Sequence, residues 1–158
     1  MTEHNSTATS DTEGFVRAGV VANPLNVARL RDELDRWLRL RLAMESARFN
    51  DVVLAVNEAL ANVAEFAYRN AAQAGTVDIR ADHDRATSIL TVTVIDLGCW
   101  RDSTEREPKR TRGRGIPLME ALSDEVLIDA TDHGTTVSMR FGNVSVAGAR
   151  HGDEVPTV

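Results

Sequence analysis

The stretch Asp51–Asn70, DVVLAVNEALANVAEFAYRN, is the one long helical pattern in the chain that also carries a polar pair placed to do chemistry. Val52, Val53, Val56, Ala59, Leu60, Val63 and Phe66 supply an apolar side, while Glu58 and Asn62 stand four apart. At 3.6 residues per turn, that separation sets a carboxylate and a carboxamide one above the other on one face. The elements on either side of this helix decide what it packs against.

Upstream, Phe15–Ala22 (FVRAGVVA) reads as a strand. Asn23 and Pro24 then supply the cap and first turn of a helix running to about Leu42. Leu25, Leu30, Leu34, Trp37, Leu38 and Leu42 recur in it at core-facing spacing, and Arg29, Arg31, Arg36, Arg39 and Arg41 occupy the rest. That basic side is either a solvated face or a partner surface.

Downstream, Gly75 breaks the chain, and Val77–Asp82 and Ser88–Ile95 form a hairpin around Asp84, Arg85 and Ala86. The second of these, SILTVTVI, is nearly all β-branched or apolar and stops abruptly at Asp96, Leu97 and Gly98, as a central strand does where it opens into a site. Cys99–Arg112 is charged, contains Pro108 and has no period, so it reads as a long loop of the kind that is usually functional or disordered. Gly113–Gly115 leads into a short helix at Ile116–Leu122, and Glu125–Ala130 and Thr135–Phe141 are two further strands. Strands that arrive in adjacent pairs exclude a doubly wound parallel sheet. They point to an α/β two-layer sandwich, a mixed and mostly antiparallel sheet packed against helices. The expected domain is 14–142, between polar tails at 1–13 and 143–158.

A chain of 158 residues can bury roughly 70% of the surface exposed by its unfolded form, enough for one core without staples. Cys99 is the single cysteine and closes no intramolecular disulfide. No apolar run reaches the roughly 20 residues that span a bilayer, and no signal-peptide pattern is present, so a cytoplasmic protein without a membrane segment is expected. The net charge of −6 weighs against direct nucleic-acid binding. Between Arg101 and Arg114, however, six basic residues face three acidic ones. That local excess suits a small anion.

Several residue types are apt for handling a nucleotide. Asn62 offers the neutral oxygen that Mg²⁺ accepts beside phosphate oxygens and water, and Glu58 one turn earlier could take a proton from an attacking hydroxyl. The same pair is also what the wet side of a helix shows. Asp96 can accept a hydrogen bond from an exocyclic base amine, with Gly98 permitting close backbone approach, although an Asp-x-Gly turn looks no different. Gly113, Arg114 and Gly115 precede a helix whose first N–H groups favour phosphate, with Pro117 costing nothing in the first turn. Neither a P-loop nor a strand-linked GxGxxG is present. His4, His83, His133 and His151 have no metal-site spacing.

Taken in order, these motifs resemble the ATP-binding serine kinases that act as bacterial anti-sigma factors, within the superfamily of gyrase, histidine-kinase and heat-shock chaperone ATPase domains. Glu58 with Asn62 is similar to that family's E-x-x-x-N, Asp96 with Gly98 to its D-x-G, Gly113–Met119 to its lid and following helix, and GTTV at Gly134–Val137 to its closing strand motif. The resemblance spans roughly Phe15–Phe141 and implies a histidine-kinase-like ATPase fold. It implies further that Glu58 is the general base, Asn62 the Mg²⁺ ligand, Asp96 the adenine reader and Thr135 its support. Gly113, Arg114 and Gly115 would line the phosphates, with Cys99–Arg112 as the lid. The implied cofactors are ATP and Mg²⁺, and the implied partners are a sigma factor and an anti-anti-sigma antagonist whose serine or threonine is phosphorylated. Members commonly form homodimers. Two departures stand out: Trp100 replaces a second glycine, and Phe66 replaces a basic or His residue four after the asparagine. An ATP-binding interaction module without phosphotransfer is the alternative.

Overall fold

In the computed structural model, which describes residues 12–67, 75–98 and 115–148, the elements follow as β1 (Thr12–Val21), α1 (Pro24–Arg41), β2 (Leu42–Ala43) and α2 (Ser46–Asn62), then a π-wound segment (Val63–Ala67), β3 (Thr76–Asp84), β4 (Ile89–Asp96), α3 (Gly115–Leu122), β5 (Glu125–Thr131), β6 (Gly134–Phe141) and β7 (Ser145–Val146). Five strands form one sheet in the order β1-β3-β4-β6-β5, and every neighbouring pair in it is antiparallel. The two-layer α/β sandwich expected from the paired strands is therefore what forms. The loop Cys99–Arg112, with Gly113 and Arg114, lies outside the described residues.

Alternation along each strand decides which face meets the helices. Val77, Ile79, Ala81 and His83 of β3, Leu90, Val92, Val94 and Asp96 of β4, and Thr135, Val137, Met139 and Phe141 of β6 are all buried, and they share one face. Against that face α1 sets Val27, Leu30, Leu34 and Leu38, and α2 sets Val52, Ala55, Val56, Ala59 and Leu60. Asn23 caps α1 as its sequence suggests, accepting from the Asn26 amide at 2.8 Å. Leu25, expected toward the core, is exposed. It stands two residues before Val27, about 200° around the helix, and so faces away from the buried stripe.

The central helix differs from its sequence pattern at both ends. It starts at Ser46 rather than Asp51, because its first turn is held by tertiary contacts instead of apolar periodicity. Arg48 bonds Asp124 at 3.0 Å, and Phe49 lies under the Arg39 guanidinium at 4.3 Å. Its α winding stops at Asn62, where the π segment takes over, and the stretch beyond Ala67 lies outside the described residues. Nothing in Val63–Ala67 is a Gly or Pro, so the winding is imposed by surroundings rather than by propensity.

The stretch after Phe141, expected as a loose tail, is packed as far as Gly148. Val144 is fully buried, its N–H donates to the Ser88 carbonyl, and its own carbonyl accepts from His83 Nε2 at 2.7 Å. Ser145–Val146 then pair with β2, and Ala147 N donates to the Arg41 carbonyl. At the other end β1 begins at Thr12, inside the expected polar tail, because Thr12 and Glu13 continue the ladder opposite Asp84 and His83.

Asp124 joins three elements. Its carboxylate accepts from the Gly142 amide at 2.6 Å and from Arg48, contacts that hold its carboxyl below the usual carboxylate range despite a smaller opposing push from burial. A depressed folded value contributes stability above the unfolded value of about 3.9 and loses it as pH falls through the folded value. Asp124→Asn should therefore lower stability by about 1 kcal/mol at pH 7, limited by water around a half-exposed side chain. Urea titrations should show the mutant and wild type converging as pH drops below about 4.

Candidate functional site

The inner faces of β4 and β6 end in two polar residues rather than apolar ones. Asp96 closes β4 and Thr135 nearly opens β6, and they sit directly opposite one another in the ladder, with Val77 flanking Asp96 and Ala130 flanking Thr135. Directly opposed residues hold their Cβ atoms about 5 Å apart. Both side chains are 2% exposed. A carboxyl and a hydroxyl thus face the helix layer at one end of the sheet, where a strand pattern alone would place valines.

Local geometry holds each in place. The Gly98 amide donates to Asp96 Oδ1 at 3.0 Å, closing a turn that takes the chain out of β4, and Gly98 is itself buried. Thr135 Oγ1 is buried and has no hydrogen-bond partner among the described residues. An unpaired hydroxyl in such a position costs about 1–3 kcal/mol unless something binds it, a condition that Arg31 Nε, His83 Nδ1 and Ser123 Oγ share elsewhere among the described residues. Its neighbour Gly134 has φ +150°, and a Cβ there would lie 2.1 Å from the Asp96 carbonyl oxygen and 3.0 Å from Leu97 Cα. Only a residue without a side chain lets β6 begin this close to the end of β4. The β5–β6 turn is tied down by Thr131 Oγ1, which donates to the Gly134 carbonyl and accepts from the His133 amide, both at 3.2 Å.

Glu58 and Asn62 come from α2, which packs on β4 and β6, the strands that carry Asp96 and Thr135. Both are half-buried and lie about 40° apart on the flank beside Ala55 and Ala59. Asn62 is the last α-wound residue, directly before the π segment. Such segments are frequent at functional sites. Gly115 is the first residue of α3, which packs on α2. The structure thus brings Asp96, Gly98 and Thr135 together and sets Glu58 and Asn62 on the helix above their strands. Among the described residues no cluster of three or more His, Cys, Asp or Glu could hold a metal by itself.

Gly134 was legible only as part of the GTTV motif. The close approach that requires it depends on β6 pairing with β4, which no local pattern reports.

A family model described as "Histidine kinase-like ATPase domain" matches residues 20–141. Among solved structures, the chain is similar to the RsbU and RsbW domains of Rv1364c from Mycobacterium tuberculosis, at 21% identity and a TM-score of 0.63, over 82% of this chain and 32% of that one. The chain therefore spans about a third of that structure, and at this identity the likeness is one of fold. It is also similar to the histidine kinase domain of the Erythrobacter litoralis EL346 blue-light activated histidine kinase, at 18% identity and a TM-score of 0.49, over 74% of this chain and 59% of that one.

Proposed function

The chain belongs to the histidine kinase-like ATPase domain family, and from that premise we propose that it is an ATP-dependent serine/threonine protein kinase acting as an anti-sigma factor. It phosphorylates an anti-anti-sigma antagonist and, when that antagonist is inactive, sequesters a sigma factor. The observation that carries the nucleotide half of this reading is the buried Asp96–Thr135 pair with its unpartnered hydroxyl. The partner half is supported by the order of motifs and by the likeness in fold to a structure containing an RsbW domain.

In this reading the Asp96 carboxylate accepts from the exocyclic amine of adenine, and the Thr135 hydroxyl supports that contact. Gly98 leaves the backbone open to the base. The Asn62 side-chain oxygen holds Mg²⁺, and Gly113, Arg114 and Gly115 line the phosphates at the start of α3, where unpaired N–H groups favour anions. Bound ATP supplies the phosphoryl group. Glu58 accepts the proton of the attacking serine or threonine hydroxyl, while the remaining catalysis is positioning and charge stabilisation. A homodimer in the cytoplasm is the proposed form. Among the described residues no helix is long and apolar enough to cross a membrane.

Titration with Mg·ATP during thermal unfolding tests the site. At a hundredfold excess over Kd, binding adds about 2.7 kcal/mol, or roughly 5–10 °C in Tm for a chain of this length. Asp96→Asn and Thr135→Val should each reduce that shift, and a full shift in both variants would remove adenine from this end of the sheet. Incubation with γ-labelled ATP and candidate antagonists tests the transfer. Binding without labelling would leave an ATP-binding interaction module.

A further inference from the structure

Away from the nucleotide end, β1 is an edge strand among the described residues, and its outer side meets α1 across a groove of about 330 Å³. Phe15, Val16, Trp37 and Leu40 give it an apolar lining, and Arg17 and Arg36 stand at its rim. Val16 and Leu40 are 55% and 69% exposed, so the apolar lining extends to the surface. Phe15 and Trp37 pack with ring centroids 5.8 Å apart, and Arg17 lies over the Phe15 ring at 4.5 Å.

The backbone here is arranged to accept a strand. Val16 faces Arg80 in the β1–β3 ladder, yet its carbonyl is reached by the Arg17 side chain at 2.8 Å, so that carbonyl points to the open edge. In an antiparallel strand the N–H and C=O of one residue point the same way and alternate along the chain, so Gly14 and Val16 both present their polar groups outward. Arg17 covers one of these acceptors while bonding Glu33 at 2.7 Å, a guard of the kind that keeps bare edges from aggregating. Arg36 makes no ion pair among the described residues. The groove thus carries two cations against the single anion Glu33, in a chain whose net charge is −6.

We propose that the β1 edge docks an extended acidic segment of a partner protein, one that carries apolar and carboxylate side chains two residues apart, so that both face α1. Its backbone adds a strand along Gly14 and Val16, its apolar side chain enters between Phe15, Trp37 and Leu40, and its carboxylate pairs with Arg36. A second copy of this chain is the poorer occupant: face to face, it would set two Arg17 and two Arg36 against two Glu33. The proposal does not depend on nucleotide binding.

The probe is the peptide acetyl-Thr-Val-Thr-Glu-Thr-Glu-amide, whose Val and Glu side chains share one face, added to the full chain and followed by hydrogen exchange and by titration. The expected result is at least tenfold slower exchange at the Gly14 and Val16 amides. Affinity should fall at least tenfold in Arg36→Glu and at least fivefold when both Glu of the peptide become Gln. Val16→Pro removes an outward N–H without breaking the β3 ladder, and it should also abolish docking. Unprotected amides, or equal affinity for the Gln peptide, would overturn the proposal. So would protection that rises with protein concentration alone and accompanies a doubled mass, since the edge would then belong to a second copy.

Discussion

Glu58→Gln is expected to slow the proposed phosphoryl transfer to an antagonist about 10²- to 10⁴-fold, the range a positioned general base supplies, while leaving ATP affinity within about threefold. The substitution keeps the shape of the side chain and its reach from α2, and removes only its capacity to take a proton. Affinity should hold because the proposed adenine contacts are made elsewhere, at the ends of β4 and β6. The measurement pairs γ-phosphate labelling of the antagonist with the Mg·ATP thermal shift. Labelling that survives at the wild-type rate would remove Glu58 as base and leave positioning as the whole of catalysis. Loss of both readouts together would place Glu58 in nucleotide binding instead.

Gly134→Ala should be the most damaging single methyl group in the described structure. At φ +150° its Cβ would sit 2.1 Å from the Asp96 carbonyl oxygen, a backbone atom of a central strand that has no side-chain freedom with which to retreat. Either β6 separates from β4 at this end or Gly134 leaves its conformation. Backbone strain of about 1–3 kcal/mol and overpacking of similar size together suggest a loss near 3 kcal/mol. For this chain length that is roughly 6–12 °C in Tm. Because the same movement shifts Asp96 away from Thr135, the ATP-dependent thermal shift should also disappear. Gly19→Ala is the matched control: φ there is +66°, but nothing among the described residues lies within 4 Å of the added methyl. It should cost about 1 kcal/mol of strain and leave nucleotide binding unchanged. A Tm change below about 2 °C in Gly134→Ala would contradict the close approach of β6 to β4.

Much of this was legible because its causes are local. Asn23 followed by Pro24 caps a helix wherever it occurs, and the β-branched run Ser88–Ile95 can bury one face only as a strand. Asp96, with Gly98 two residues on, marked where that run ends, though an Asp-x-Gly turn reads the same way. What could not be read locally is where contacts between distant segments replace patterning. Ser46–Asn50 has no apolar period, yet it is helical, since Arg48 reaches Asp124 and Phe49 reaches Arg39. Gly142–Gly148 is small and polar apart from Val144 and Val146, yet it is strapped down through His83, Ser88 and β2. Leu25 shows the converse: an apolar residue counted toward the core from its spacing, but on the opposite side of α1 from the buried stripe.

By itself the sequence determined the layers and the chemistry available to them: strands in adjacent pairs, two amphipathic helices, and Glu58, Asn62, Asp96 and Thr135 on those elements. Only the tertiary structure decided that β6 inserts between β4 and β5, that Asp96 therefore faces Thr135 rather than solvent, and that Gly134 must be bare where the two strands meet. The division has one physical reason. Side-chain periodicity specifies which face of an element turns inward, whereas the register between strands far apart in the chain is selected only when all of those faces are buried at once.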